Sequence, residues 1–153
     1  MKDKTLIIGA GEIGTSLGVV LMGAYEVEWH DPQQEKNATG TYKVINITYP
    51  YSDKFIDITR EYIARFRPEL VIIHSTVAPG TTEKLGKGVV HSPVNGKHPN
   101  LATDIKTFTK FIGADNVYSG YKACLYLKKA NIQTTLFSSS RATEVAKILC
   151  TTR

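Results

Sequence analysis

The feature that most narrows what this chain can fold into is the stretch Thr5–Gly18, TLIIGAGEIGTSLG. Thr5–Ile8 runs into glycines at positions 9, 11 and 14, and a segment with Ile13, Leu17, Val20 and Leu21 on one side continues to Met22. A short strand without polar alternation suits a parallel sheet covered on both faces. Passing from strand to helix through G-x-G-x-x-G gives each glycine a task. Gly9 permits the tight turn, Gly11 leaves the backbone open to a pyrophosphate, and Gly14 lets the helix approach the strand. The helix start adds unpaired N–H groups and the positive end of the dipole. Gly9, Ala10, Gly11, Glu12, Ile13 and Gly14 are therefore the candidate phosphate-binding turn.

The remaining sequence alternates strand and helix signals. Tyr25–His30 has period two and stops at Asp31-Pro32, and Tyr42–Thr48 is a third strand ended by Pro50. Asp53–Phe66 has helical spacing, with Ser52 or Asp53 available as its cap. Leu70–His74 is a fourth buried strand. Thr81–Leu85 is a short helix capped by Thr81 or Thr82. Gly88–His91 is a fifth strand, Ser92–Leu101 a loop of turn formers, and Phe108–Ile112 a sixth strand. Asn116–Ala130 is a helix, Ile132–Phe137 a last strand, and Ser140–Cys150 starts another helix. This order predicts the α/β class: a doubly wound, mostly parallel, Rossmann-like sheet in a three-layer α/β/α arrangement. The dinucleotide-binding domain spans 1–137. Residues 138–153 are expected to begin a C-terminal helix.

A dinucleotide site of this kind needs an acid at the end of the second strand. Asp31 stands 22 residues after Gly9 and closes YEVEWHD. Its carboxylate can accept hydrogen bonds from the adenosine ribose hydroxyls, and its charge repels a 2′-phosphate, which favours NAD over NADP. The net charge of +5 suits an anionic ligand, but the bases are scattered and form no stripe for nucleic acid. No apolar run approaches the ~20 residues of a membrane span. The start MKDKTLIIGAG does not read as a signal peptide, and a cytoplasmic location with two reduced, mostly buried thiols, Cys124 and Cys150, is expected.

A second motif, Ser75–Thr82 (STVAPGTT), follows the fourth strand, so it should open on the same crevice at the carboxyl ends of the strands, with Ser75 and Thr76 supplying hydroxyls. Together with the glycine turn, HDP and HSPVNGKHPNLATDIKTFTKFIGA, it resembles the N-terminal domain of the UDP-glucose/GDP-mannose dehydrogenases. The resemblance runs through nearly the whole chain in order. It implies oxidation of a nucleotide-sugar alcohol with NAD. It also implies that Ser75 and Thr76 lie near the nicotinamide and the reacting carbon, that Tyr49-Pro50 lies where the family has Thr-Pro, and that the catalytic lysine falls on Lys147 within Glu144-Val145-Ala146-Lys147.

The sequence departs from that pattern in ways that bear on chemistry. The Pro-Glu of the family falls on Pro93-Val94, and its asparagine after the lysine falls on Thr151. The family's nucleophilic cysteine lies beyond the last residue, Arg153, and Cys150 is no substitute for it. The expectation is a catalytically incomplete domain. Its last helix either continues in a longer protein or packs on a second copy, so the nucleotide sugar would be met with a second domain or chain. Two other readings stay open: a nucleotide-binding regulatory or subunit module without catalysis, and a small dimeric dehydrogenase of the β-hydroxyacid type.

Several residues remain to be weighed. Lys147 as a general base needs its pKa lowered by burial or neighbours. Asn95, Lys97 and His98 in the NGKHPN loop are candidate substrate contacts. Tyr49 and Tyr51, flanking Pro50 near the expected nicotinamide end, either stack on a ring or pack as ordinary side chains. His74, His91 and His98 lack the spacing of a metal site, and no metal is expected.

Overall fold

A computed structural model describes residues 2–96 and 99–151. The strands are β1 (Lys4–Ile8), β2 (Glu26–His30), β3 (Val44–Ile47), β4 (Leu70–Ile73), β5 (Val89–His91), β6 (Lys110–Gly113) and β7 (Thr134–Phe137). They form one seven-stranded sheet in the order β2-β1-β3-β4-β5-β6-β7. The pairings from β2 through β5 are parallel, β6 runs antiparallel to β5 through His91 and Gly113, and β7 is parallel to β6. The doubly wound, mostly parallel sheet is thus present, with its sense reversed at the last two strands.

The helices are α1 (Glu12–Leu21), α2 (Phe55–Phe66), α3 (Thr81–Leu85), α4 (Leu101–Thr107), α5 (Val117–Lys129) and α6 (Ser140–Thr151). Alternate strand residues face opposite sides, and this sorts the core into two clusters. Ile7, Leu70, Ile72 and Val90 pack with Leu17 and Leu21 of α1, Ile105 of α4 and Leu127 of α5. Leu6, Ile8, Ile45, Val71 and Ile73 pack with Phe55 and Phe66 of α2. Two apolar faces, each sealed by helices, explain why the central strands are mostly apolar, with the few polar side chains among them, Thr5, Asn46 and His91, buried.

Three local expectations are corrected. Residues after the Ser92–Leu101 loop form α4, which buries only Leu101 and Ile105 and so carries too little periodicity to stand out in sequence. The sixth strand begins at Lys110 rather than Phe108; Phe108 is 50% exposed, whereas Lys110 is buried. Helix α2 starts behind Lys54 without a side-chain cap, although the Ser52 hydroxyl accepts the Lys54 N–H at 3.3 Å. The thiols differ too: Cys124 is half-buried and Cys150 is exposed near the end of α6.

Candidate functional site

The glycine turn joins β1 to α1, and its geometry separates the three glycines. Gly9 has φ +109°, and a Cβ at Gly14 would sit 2.0 Å from the Gly9 carbonyl oxygen, so the fold itself requires both. Gly11 is different: its backbone is extended, and a Cβ there would meet nothing within 4 Å. Packing inside the chain does not explain this glycine; open space above it, at the start of α1, does.

Thr48, at the end of β3, braces the turn from below. Its hydroxyl lies 3.0 Å from the Ile8 carbonyl oxygen and 3.1 Å from that of Gly9. Tyr49 stands where the resemblance expects a threonine, and the neighbouring Thr48 supplies a hydroxyl with a positioning role of its own.

Asp31 closes the other side. Its Oδ2 accepts the Ala10 N–H at 2.8 Å and its Oδ1 accepts the Gln33 N–H at 3.0 Å, which leaves further lone pairs on each oxygen. Gln34, in a 3-10 turn at Pro32–Gln34, donates to the Ala10 carbonyl at 2.8 Å. A cleft of about 680 Å³ runs between these groups, lined among others by Gly11, Glu12, Asp31, Tyr49, Pro50 and Tyr62. The Tyr49 hydroxyl is 2.6 Å from Thr59 Oγ1, and its ring packs against Phe55 and Tyr62, so ordinary packing holds it at the cleft wall. Burial raises the pKa of its phenol, which stays protonated.

Beyond the turn, Glu12 and Ile13 also line a second cavity of about 230 Å³, together with His74, Thr76, Val94 and Lys147. Thr76 is exposed, whereas the Ser75 hydroxyl turns away and donates to the Tyr49 carbonyl at 2.6 Å, tying the ends of β3 and β4. Lys147 Nζ donates to the Val94 carbonyl at 2.8 Å, and burial lowers its pKa. Asn95 lines a separate small cavity beside Asp104 and Lys110. Lys97 and His98 lie outside the described residues.

The placement of Lys147 depends on Glu144, one turn earlier on α6 and fully buried. Glu144 Oε1 accepts the Gly80 N–H at 2.9 Å, and Oε2 accepts the Thr82 N–H at 3.0 Å and the Thr82 hydroxyl at 2.8 Å. The start of α3 is therefore served by a carboxylate from α6, not by the Thr81 or Thr82 side chain; Thr81 donates instead to the Ala78 carbonyl. Three donors converging on one carboxylate make the burial tolerable and lock α6 onto the STVAPGTT loop.

Two further basic side chains, Lys110 and His91, are buried. Lys110 Nζ donates to the carbonyls of Ser92 at 2.5 Å and Pro93 at 3.2 Å, and burial, with Lys147 adding to it, pulls its pKa down to about 7. Lys110 and Lys147 thus hold three consecutive carbonyls, Ser92 to Val94. His91 Nε2 faces the Ser75 carbonyl at 3.0 Å, which can only accept, so this nitrogen carries the proton and Nδ1 accepts from Thr143 at 2.8 Å. Burial lowers its pKa to about 4, and it is a neutral structural residue. None of these roles was visible in the sequence, because each rests on partners more than ten residues away.

No family model matches the sequence, and no curated protein matches it. Solved structures do match its fold. A UDP-D-ManNAc dehydrogenase from Pyrococcus horikoshii superposes with a TM-score of 0.87 at 16% identity, over 97% of this chain and 50% of that one. The chain has the fold of one half of the UDP-sugar dehydrogenases. A UDP-glucose dehydrogenase from Pyrobaculum islandicum gives a TM-score of 0.76 at 14% identity, over 98% of this chain and 49% of that one. A 3-hydroxyacyl-CoA dehydrogenase from Archaeoglobus fulgidus gives 0.72 at 12% identity, over 98% and 62%. The chain spans about half the length of the UDP-sugar dehydrogenases it matches. Among the described residues no helix is long and apolar enough to cross a membrane.

Proposed function

We propose that this chain is the NAD-binding domain of a nucleotide-sugar-dehydrogenase-like oxidoreductase that needs a second domain or chain to complete its active site. The observation that carries the reading is the open space over Gly11, in a cleft that Asp31 also lines and that shares Glu12 and Ile13 with the Thr76–Lys147 cavity. Asp31 would hold the adenosine ribose hydroxyls in the larger cleft, and the start of α1 at Gly11 would hold the pyrophosphate. NAD supplies the acceptor for hydride from a substrate alcohol. Thr76 contacts the reacting end. Lys147, whose amine burial makes easier to deprotonate, takes the hydroxyl proton on Nζ.

Calorimetric titration tests the reading. NAD binds the purified chain, while Gly11→Val lowers affinity by roughly 100-fold and costs at most about 1 kcal/mol of stability, since a Cβ at this position meets nothing within 4 Å. Absence of NAD binding, or a Gly11→Val chain that binds as well as the parent, overturns it.

A further inference from the structure

The seven-stranded sheet has two ends, and the residues along them differ in kind. At one end β2 carries Glu26 and Glu28, and Glu28 pairs with Lys4 at 3.3 Å. Charges of this sort keep a foreign strand from adding to an open edge. At the other end β7 reads Thr134-Thr135-Leu136-Phe137, without a charge, and its last three residues are exposed. Among the described residues no strand lies beyond it.

The pairing with β6 decides which backbone groups are left over. The Gln133 and Phe137 carbonyls accept from the Lys110 and Ala114 N–H groups at 2.8 and 3.0 Å, so every second residue of β7 turns its backbone to β6. Thr134 and Leu136 therefore direct their N–H and C=O groups outward, where among the described residues no backbone partner meets them. Another extended segment is what pairs such a row. The helix beside this edge has a matching character. A Cβ on Gly120 of α5 would lie 2.8 Å from Leu136 Cδ1, so the strand and the helix touch there. Tyr121 and Leu125 of α5 line a groove of about 860 Å³ with Thr134 and Thr135, and Lys128 is the one charged residue among the described ones lining it. Val117 stands one turn before Tyr121 on the same face.

We propose that β7 pairs antiparallel with β7 of a second copy of this chain, joining the two sheets across a two-fold axis at Leu136. The edge is self-complementary. A two-fold axis normal to the sheet keeps each side chain on its own face, and directly opposed residues share a face, so the axis passes through a residue rather than between two. Of the outward-directed residues Leu136 is the apolar one. An axis there lets the two Leu136 backbones exchange both hydrogen bonds, brings the two leucine side chains together, and sets Thr135 opposite Phe137 of the second copy. No like charges meet along the strand. The area agrees: Val117, Tyr121, Leu125, Leu136 and Phe137 are between 38% and 77% exposed. At ~200 Å² for a large side chain their exposed parts come to roughly 500 Å², well over half of the ~800 Å² per partner in a standard interface. The second copy thus sits on β7, not on α6.

Sedimentation equilibrium of the full chain tests the pairing. The expected result is a reversible dimer with a Kd in the micromolar range. Leu136→Lys sets two like charges face to face and should raise that Kd at least roughly tenfold, while Glu26→Lys on the opposite edge leaves it unchanged. Circular dichroism shows whether the variants are folded. Amide hydrogen exchange on the unaltered chain depends on no variant. The Leu136 N–H should be protected above the Kd and exchange freely on dilution below it, whereas the Thr135 and Phe137 N–H groups, which face β6, stay protected at both concentrations. A chain that is monomeric at about 100 μM overturns the proposal. So does a folded Leu136→Lys variant with an unmoved Kd, or a dimer whose Leu136 amide exchanges freely at every concentration, which would seat the second copy elsewhere.

Discussion

The two cavities of this protein are built by opposite means. The larger cleft is made mainly from backbone supplied by short, nearby segments: a glycine turn, the start of α1, and Asp31 at the end of the adjacent strand. The smaller one is lined by side chains from distant segments, among them His74 and Thr76 after β4 and Lys147 on α6, and the buried polar groups Lys110 on β6 and Glu144 on α6 hold the surrounding loops in place. A site made of backbone depends on what is missing from it, whereas a site of buried charge depends on every partner being present. Substitutions should therefore fail differently in the two places.

The largest effect is expected at Glu144→Leu, which leaves the Gly80 and Thr82 amides and the Thr82 hydroxyl without their acceptor. At ~1–3 kcal/mol per stranded donor, urea unfolding should show a loss of about 3 kcal/mol or more. If the loss is under about 1 kcal/mol, α6 is not held by this carboxylate. The glycines come next. Gly14→Ala places a methyl against the Gly9 carbonyl and should cost about 3 kcal/mol, while Gly11→Val spares the fold and removes binding. Equal stability losses at the two positions would erase the distinction between a glycine the fold needs and one a ligand needs.

Asp31→Ala should weaken NAD binding roughly tenfold or more, since it removes a charged acceptor, with the NAD to NADP preference reduced in the same titrations. The last test is a slope. The Lys110 pKa is about 7 folded against an ordinary 10.5, so between these values the unfolded chain binds the extra proton and stability rises with pH. The stability of the parent relative to Lys110→Met should therefore increase from pH 7 to 9, by at most ~1.4 kcal/mol per pH unit. A flat difference would place the Lys110 amine in contact with water.

How far each region was legible in sequence follows the same division. Gly9, Gly14 and Asp31 announced themselves because short-range geometry allows few residues in their places. Thr48 stayed hidden one position from the expected threonine, because only the β1–β3 pairing carries its hydroxyl under the turn. Ser75 looked like a ligand-facing hydroxyl and instead binds the chain's own backbone. Helix α4 was missed for want of apolar positions, and Lys110 because a lysine on a strand ordinarily marks its solvent face.

The sequence by itself determined the class of fold, the turn between β1 and α1, and the acid opposite it, since periodicity and glycine spacing are local properties of the chain. Tertiary structure alone decided that β6 and β7 reverse direction and that a carboxylate from α6 serves the start of α3. Each of these depends on which distant groups share a low-dielectric space. Burial there makes an unpaired polar atom costly, and no spacing rule along the chain records it.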